Sequence, residues 1–290
     1  MASSEWQILS SHAHQLGEGL RIIGGTVHWV DLLRGELYAW SPESQPQAAL
    51  VQHHSVPLGV VEQDASGHLI GALGTGIADL TDPNAPQMLA TTGLDSARHR
   101  VNDGSFAPDG TFWFGTMVHD ESAPEGSVWR WDPVSGDLRQ VLTGIDIPNG
   151  PTFLPDGSVL VADSAAGRIL RTTLADPAST ELFAEVPGGS PDGMHVDAAG
   201  RVWNAVWGGS RLDIYSADGD ILGSVPMPMS QVTSVLVTDG VDPWWSSPAP
   251  QLASRHQDPS TGTPWPRRCT TFFPPLSRWR TLASPAPRGP

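Results

Sequence analysis

In the stretch RVNDGSFAPDGTFWFGTM, residues 100–117, Gly110 follows an acidic residue and precedes the aromatic run Phe112 to Phe114. A glycine there suits a tight turn at positive φ, and bulky aromatic or β-branched residues directly after it suit a strand. The pattern recurs as GGTVHWVD, SGHLIGAL, DGSVLVAD, AGRVWNAV and DGVD, punctuated by Gly25, Gly67, Gly157, Gly200 and Gly240. With Gly110 included, successive glycines lie 42, 43, 47, 43 and 40 residues apart. That period matches a four-stranded propeller blade rather than a helical repeat, so the sequence predicts an all-β, six-bladed β-propeller. Second hairpins are expected at RGELYAWSP, GSVWRWDPVSGDL and AGRILRTTL, and no capped helical run of more than ten residues interrupts them. A β-sandwich with coincidental spacing is the competing arrangement; five near-equal intervals speak against it.

Composition narrows the class. The 290 residues include 31 Gly and 27 Pro, so turns are frequent. With 39% hydrophobic and 16% charged residues the chain is too apolar for disorder, and no apolar run approaches the ~20 residues of a membrane span. The start, MASSEWQILSSHAHQLGEG, lacks the basic and apolar regions of a secretory signal, and the single Cys269 cannot form an internal disulfide. Both features lead us to expect a cytoplasmic protein. All 16 basic residues are arginines against 31 acids, and a net charge of -15 disfavours nucleic acid and anionic membranes as partners. Oligomeric state leaves no trace in these residues.

A propeller concentrates its chemistry at one mouth of the central channel, where the innermost strands begin. Residues at one phase of the repeat share one height in that channel. Eight before Gly110, Gly157 and Gly200 stand Asn102, Asn149 and Asp192; seven before Gly25 stands Glu18. The same phase gives Gly59 in the second repeat and Val232 in the sixth. Two carboxylates with amide oxygens make a hard-oxygen set, suited to one divalent cation such as Ca²⁺, Mg²⁺ or Mn²⁺ and compatible with Zn²⁺. Asn and Asp before Gly are also ordinary turn residues. Their common phase, with Glu18 added, moves the reading to a metal site.

The strings LGEGL with HWVD, RVNDG with GTM, IPNG and PDGM resemble those of the senescence-marker-protein, gluconolactonase and regucalcin family. The resemblance runs from about residue 14 to 242. It implies a six-bladed propeller that hydrolyses sugar lactones such as gluconolactone to aldonic acids with one divalent metal. It further implies Glu18, Asn149 and Asp192 as metal ligands and Arg100 and Asn102 as holders of substrate hydroxyls. The family's additional substrate-contacting acid falls here on Asp120, shorter than the usual Glu. Leu20 replaces a customary Pro, and the first turn is about two residues short; neither change removes a ligand. In such a site the cation supplies carbonyl polarisation and an activated water, and Asp192 is the catalytic proton acceptor. A propeller of another class, binding a metal or a protein partner without catalysis, is the alternative.

Other motifs are weaker. There is no G-x-S-x-G elbow, Walker loop or dinucleotide fingerprint. His12 and His14 read as solvated histidines and His119 as a surface-loop residue, while Trp29, Trp113 and Trp203 follow the blade rhythm and are expected between blades.

Something changes near Asp242. Residues 1–242 hold 30 acids and 10 arginines, whereas residues 243–290 hold one acid, six arginines, 11 Pro and four Trp, with neither Val nor Ile. That composition cannot build an ordinary blade, so a propeller domain over 1–242 and an atypical Pro/Arg-rich segment over 243–290 are expected, with the sixth blade incomplete or irregular. The segment reads either as a natural Pro-rich tail or as a frameshifted sixth blade. Trp has the single codon TGG, so Pro243 to Ala249 back-translates, with TCN serines, to CCN TGG TGG TCN TCN CCN GCN. Starting at the third base of the Pro codon gives Leu, Met or Val, then Val, Val, an apolar residue and a small one. Those residues would continue Gly240-Val241-Asp242 much as Ser158 to Asp163 continue Gly157. Resequencing around the codons for Asp242 and Pro243 is expected to show the shift, and the corrected chain to melt at a higher temperature. An intact frame, with a cooperative high-temperature melt for the chain as given, overturns this reading.

Overall fold

The structure is a computed structural model that describes residues 13–41, 48–237 and, for the backbone, 244–246. The aromatic run shows how its layers form. Phe112 and Phe114 pack with Val60, Ile70 and Ile77, while Trp113, on the other face of the same strand, packs with Val159 and Val161. Side chains of a strand alternate between faces, so a strand that is bulky at three successive positions is buried between two sheets.

Five four-stranded antiparallel sheets repeat this arrangement. The first comprises β1 (Gly17–Ile23), β2 (Thr26–Asp31), β3 (Glu36–Trp40) and β4 (Ala49–His53). The second comprises β5 (Leu58–Gln63), β6 (Leu69–Leu73), β7 (Gly76–Asp79) and β8 (Gln87–Thr91). The third comprises β9 (His99–Phe106), β10 (Phe112–Val118), β11 (Ser127–Trp131) and β12 (Leu138–Thr143). The fourth comprises β13 (Pro148–Phe153), β14 (Ser158–Asp163), β15 (Arg168–Thr173) and β16 (Glu181–Glu185). The fifth comprises β17 (Ser190–Val196), β18 (Val202–Trp207), β19 (Arg211–Tyr215) and β20 (Ile221–Pro226). Each is a meander, and the first strands β1, β5, β9, β13 and β17 lie side by side around the channel. The five described punctuating glycines have φ between 75° and 88°, as the turn reading requires. Trp29 and Trp113 are fully buried and Trp203 nearly so, each in a core cluster.

The expected count of six blades is not met. Among the described residues the sixth position holds a two-stranded sheet, β21 (Ser234–Leu236) paired with β22 (Trp244–Ser246). The reason lies in the sequence: the run of strand-forming residues stops near Asp242, and all but three residues of the expected atypical segment 243–290 lie outside the described residues. β21 nevertheless closes the ring. Val235 enters the core of the fifth sheet and Leu236 that of the first. Leu20 N–H donates to Ser234 Oγ at 3.1 Å, and Thr233 Oγ1 donates to the Gly17 carbonyl at 2.5 Å. No helix among the described residues is long and apolar enough to cross a membrane.

Inner strands approach one another most closely at Gly59, where a Cβ would lie 1.8 Å from the Asn102 carbonyl oxygen. Gly59→Ala is therefore expected to destabilise by roughly 1–3 kcal/mol through overpacking. Gly223, with nothing within 4 Å of its notional Cβ, serves as the control; Gly223→Ala should stay within about 0.5 kcal/mol. Chemical denaturation of the two variants compares them directly.

Candidate active site

Every inner strand breaks register at the phase picked out by the sequence. The ladders shift between Glu18 and Arg21 in β1, Leu58 and Val60 in β5, Asn149 and Thr152 in β13, and Pro191 and Met194 in β17; opposite Phe114 to Thr116 the shift falls on Asn102 and Asp103 of β9. A bulge re-aims a side chain and removes ladder hydrogen bonds locally. Four residues at these breaks, Glu18, Asn102, Asn149 and Asp192, line one cavity of about 160 Å³ together with Arg100, and all five are buried.

A one-way chain of hydrogen bonds fixes the amides. Arg100 Nη1 donates to Asn102 Oδ1 at 2.6 Å, Asn102 Nδ2 to Asn149 Oδ1 at 2.8 Å, Asn149 Nδ2 to Ser164 Oγ at 2.9 Å, and Ser164 Oγ to the Pro191 carbonyl at 2.6 Å. Because an amide oxygen accepts two bonds, Asn149 Oδ1 keeps one lone pair for a ligand. The amide orientations follow from this network. Arg100 Nε is buried with no partner among the described residues, a donor left for an oxygen that the chain itself does not supply.

The acids are strongly perturbed. Burial pushes the Glu18 carboxyl well above its usual range, with repulsion from Asp192 and then Asp103 adding to it. Burial does the same to Asp192, again with Asp103 adding. Asp192 Oδ1 accepts from Gly193 N–H at 3.0 Å, and no hydrogen bond among the described residues reaches its Oδ2 or the Glu18 carboxylate. Along the channel four carboxylates, Glu18, Glu62, Asp103 and Asp192, face two guanidiniums, Arg21 and Arg100, and Glu121 adds a fifth carboxylate at the mouth, so acids outnumber bases. Among the described residues no three His, Cys, Asp or Glu side chains converge as a metal cluster. The set that fits a cation is smaller and harder: the Glu18 carboxylate, the Asp192 Oδ2 and the spare lone pair of Asn149.

Asp120 is not part of this set. It is exposed, and its carboxylate accepts from Ser122 N–H at 3.1 Å as a turn residue. Its neighbour Glu121 lines the cavity instead, at the left-handed φ of 57°, and exerts the largest electrostatic attraction on Arg100. A non-glycine residue held there points to a functional constraint. Its place, one residue beyond the expected acid, was available in the string GTMVHDE. Leu16, Ile147, Ser164, Ala165, Ser190 and Trp207 complete the wall. Leu16, Ile147 and Ser190 stand two residues before Glu18, Asn149 and Asp192, as Arg100 does before Asn102, and Ser164 and Trp207 stand seven residues after Gly157 and Gly200. His119 is exposed and bonded to the Ser96 carbonyl at 3.1 Å. His14, expected in solvent, is buried and accepts from Trp29 Nε1 at 3.2 Å, and His12 lies outside the described residues.

With this geometry in place, the comparisons with known proteins fall together. The family model described as SMP-30/Gluconolactonase/LRE-like region matches residues 16–242. This chain belongs to that family of propellers. A pentonolactonase from Haloferax volcanii is 31% identical over 217 residues, 72% of each chain. A 6-deoxy-6-sulfogluconolactonase from Pseudomonas putida is 30% identical over 219 residues, 72% of this chain and 74% of that one. The solved structure of regucalcin, a calcium-binding protein from Agrobacterium tumefaciens, shares the fold with a TM-score of 0.77 at 23% identity, covering 95% of this chain and 98% of that one.

The loop bearing Glu121 is pinned by Glu125, which accepts from Arg98 Nε at 2.9 Å and Nη2 at 2.5 Å and lies 3.1 Å from His99 Nε2. The Arg98 hydrogen bonds hold the Glu125 carboxyl down at about 2, against an ordinary 4.5. A depressed acid stabilises the fold above its unfolded value and loses that contribution as pH falls through the folded one. Stability should thus drop between pH 4.5 and about 2 more steeply in the parent than in Glu125→Gln. Melting curves across that window, at low salt because the pair is exposed, test it.

Proposed function

We propose that this protein hydrolyses sugar lactones, aldonolactones of the gluconolactone class, to aldonic acids with the help of one divalent cation, Ca²⁺, Zn²⁺, Mn²⁺ or Mg²⁺. The observation that carries the reading is the cavity in which Glu18, Asn149 and Asp192 face Arg100 and Asn102, within a chain whose relatives are named as lactonases. Glu18, Asn149 and Asp192 would hold the cation through their oxygens. When bound, such an ion supplies carbonyl polarisation and a water of lowered pKa.

The chain's own residues account for the remainder. Arg100 Nε, buried and without a partner among the described residues, offers a donor to a lactone oxygen, and Glu121 at the rim attracts the guanidinium, whose pKa burial lowers. Asn102 passes the orientation of Arg100 to Asn149 and presents the substrate with a rigid amide. A neutral polyol is recognised by directional hydrogen bonds of this kind more than by charge. Asp192, held at Oδ1 by Gly193 N–H, keeps Oδ2 to take a proton. The aldonate product is an anion, which a protein of net charge -15 does not retain.

A pH-indicator assay with several aldonolactones, before and after chelation and cation return, is expected to show turnover lost and restored. Asp192→Asn should lower kcat by ~10²-fold or more, whereas Asn102→Ala should chiefly raise KM with cation still bound. No cation-restored turnover on any lactone would leave a non-catalytic binding propeller, and loss of cation from Asn102→Ala but not Asp192→Asn would reverse the assignment of ligands.

A further inference from the structure

Deeper along the same inner strands lies a second charged layer that the proposed reaction does not use. Asp103 is buried in β9; its Oδ2 accepts from Gly150 N–H at 3.0 Å, and its Oδ1 accepts from Gly104 N–H at 2.8 Å and faces Arg21 Nη2 at 3.5 Å. Arg21 in turn donates to Glu62 Oε1 at 2.5 Å, to the Leu20 carbonyl at 2.8 Å and to the Gly104 carbonyl at 2.7 Å. Beyond this layer opens a cavity of about 730 Å³ at the other end of the channel, with Arg21, Glu62 and Ser105 in its wall. The Asp103–Arg21–Glu62 layer therefore lies on the strands between the residues of the smaller cavity and those of the larger one.

The contacts fall where the ladder is missing. The bulges in β1 and β13 break register between Glu18 and Arg21 and between Asn149 and Thr152, so Gly150 N–H has no partner strand there. A buried N–H of this kind must find another acceptor, and Asp103 is that acceptor. Gly150 directly follows Asn149, Arg21 lies three residues after Glu18, and Asp103 directly follows Asn102. One carboxylate thus touches the strands that carry three of the site residues.

We propose that Asp103 is a positioning residue: through Gly150 and Arg21 it sets the spacing of the Asn149 and Glu18 oxygens, and so the affinity of the cation site. This rests on reading that site as a cation-dependent lactonase centre. The test is calorimetric titration of the full, metal-stripped chain with Ca²⁺ and with Mn²⁺, for the parent, Asp103→Asn and Asp103→Glu, with circular dichroism and kcat and KM at saturating cation alongside. Both variants are expected to keep the parent's far-ultraviolet spectrum and to bind cation about 10- to 100-fold more weakly. Asp103→Glu keeps the charge but displaces the carboxylate, so an equal loss there assigns the effect to position. Parent-like affinity in Asp103→Asn overturns the proposal, as does parent-like affinity in Asp103→Glu beside a weak Asp103→Asn, which means charge alone. If Asp103→Glu does not fold, Arg21→Gln replaces it, leaving the Asp103 charge and loosening β1; unchanged cation affinity in that variant is again fatal to the idea. A parent that binds no cation and opens no lactone brings down the functional reading and this proposal together, whereas a cation-binding parent with indifferent variants brings down this proposal alone.

Discussion

Four carboxylates and two guanidiniums share the channel of this propeller, and the cost of burying them governs the structure around them. An ion taken out of water loses several kcal/mol of solvation unless partners replace the water. Here the replacements come from neighbouring strands as well as from within one strand. Arg21 of β1 is satisfied by β5 and β9, Asp103 of β9 by the backbone of β13, and Asn149 of β13 by β9 and by Ser164 beyond β14. The inner strands must consequently lie close together, which is why one of them carries Gly59 where its neighbours carry a polar side chain. The apolar interfaces between sheets set the gross architecture; the channel ions fix how far apart the strands stand at its centre.

The bulges convert that constraint into a site. A regular ladder would spend each inner-strand N–H on its hairpin partner and point alternate side chains away from the channel. By breaking register at one height in β1, β5, β9, β13 and β17, the chain frees a backbone donor such as Gly150 N–H for an acid, lets Gly193 N–H be shared between the Thr233 carbonyl and Asp192, and turns Glu18, Asn102, Asn149 and Asp192 toward a common space. The surplus of acids over bases at that height is then a property of the fold.

Much of this was legible in the sequence because a propeller repeats. A glycine held at positive φ once per blade acts as a ruler, and residues at fixed distance from it share a height; that logic finds Glu18, Asn102, Asn149 and Asp192 without coordinates. It fails for residues that do not repeat. Glu121 sits in an irregular loop between β10 and β11, where a one-residue offset separates it from the exposed Asp120. Ser164 and Trp207 do repeat, each seven residues after a punctuating glycine, but at a phase on the far side of the turn from the one that carries the acids and amides. Asp103 stood in plain view in NDG, but only the bulge in β13 reveals that an N–H waits there for it. Equal spacing measures where a sheet begins, whereas its width depends on the residues that follow; after Asp242 they are rich in Pro and lack Val and Ile, so the glycine count points to six blades while the described residues hold five complete ones and a two-stranded sixth.

The closing contacts between β1 and β21 impose an order in time. The hydrogen bond from Leu20 N–H to Ser234 Oγ joins residues 214 positions apart, and Leu236 completes the core that Leu20, Trp29 and Trp40 begin. At the ~5–20 residues per second of protein synthesis, Ser234 emerges from the ribosome on the order of ten to forty seconds after Leu20. Throughout that interval the first sheet keeps one apolar flank open while the sheets behind it assemble in sequence. The molecule begins with a half-finished surface that only its own far end can cover, so the nascent chain, more than the finished protein, is where this architecture is exposed to chaperones and to unwanted strand pairing.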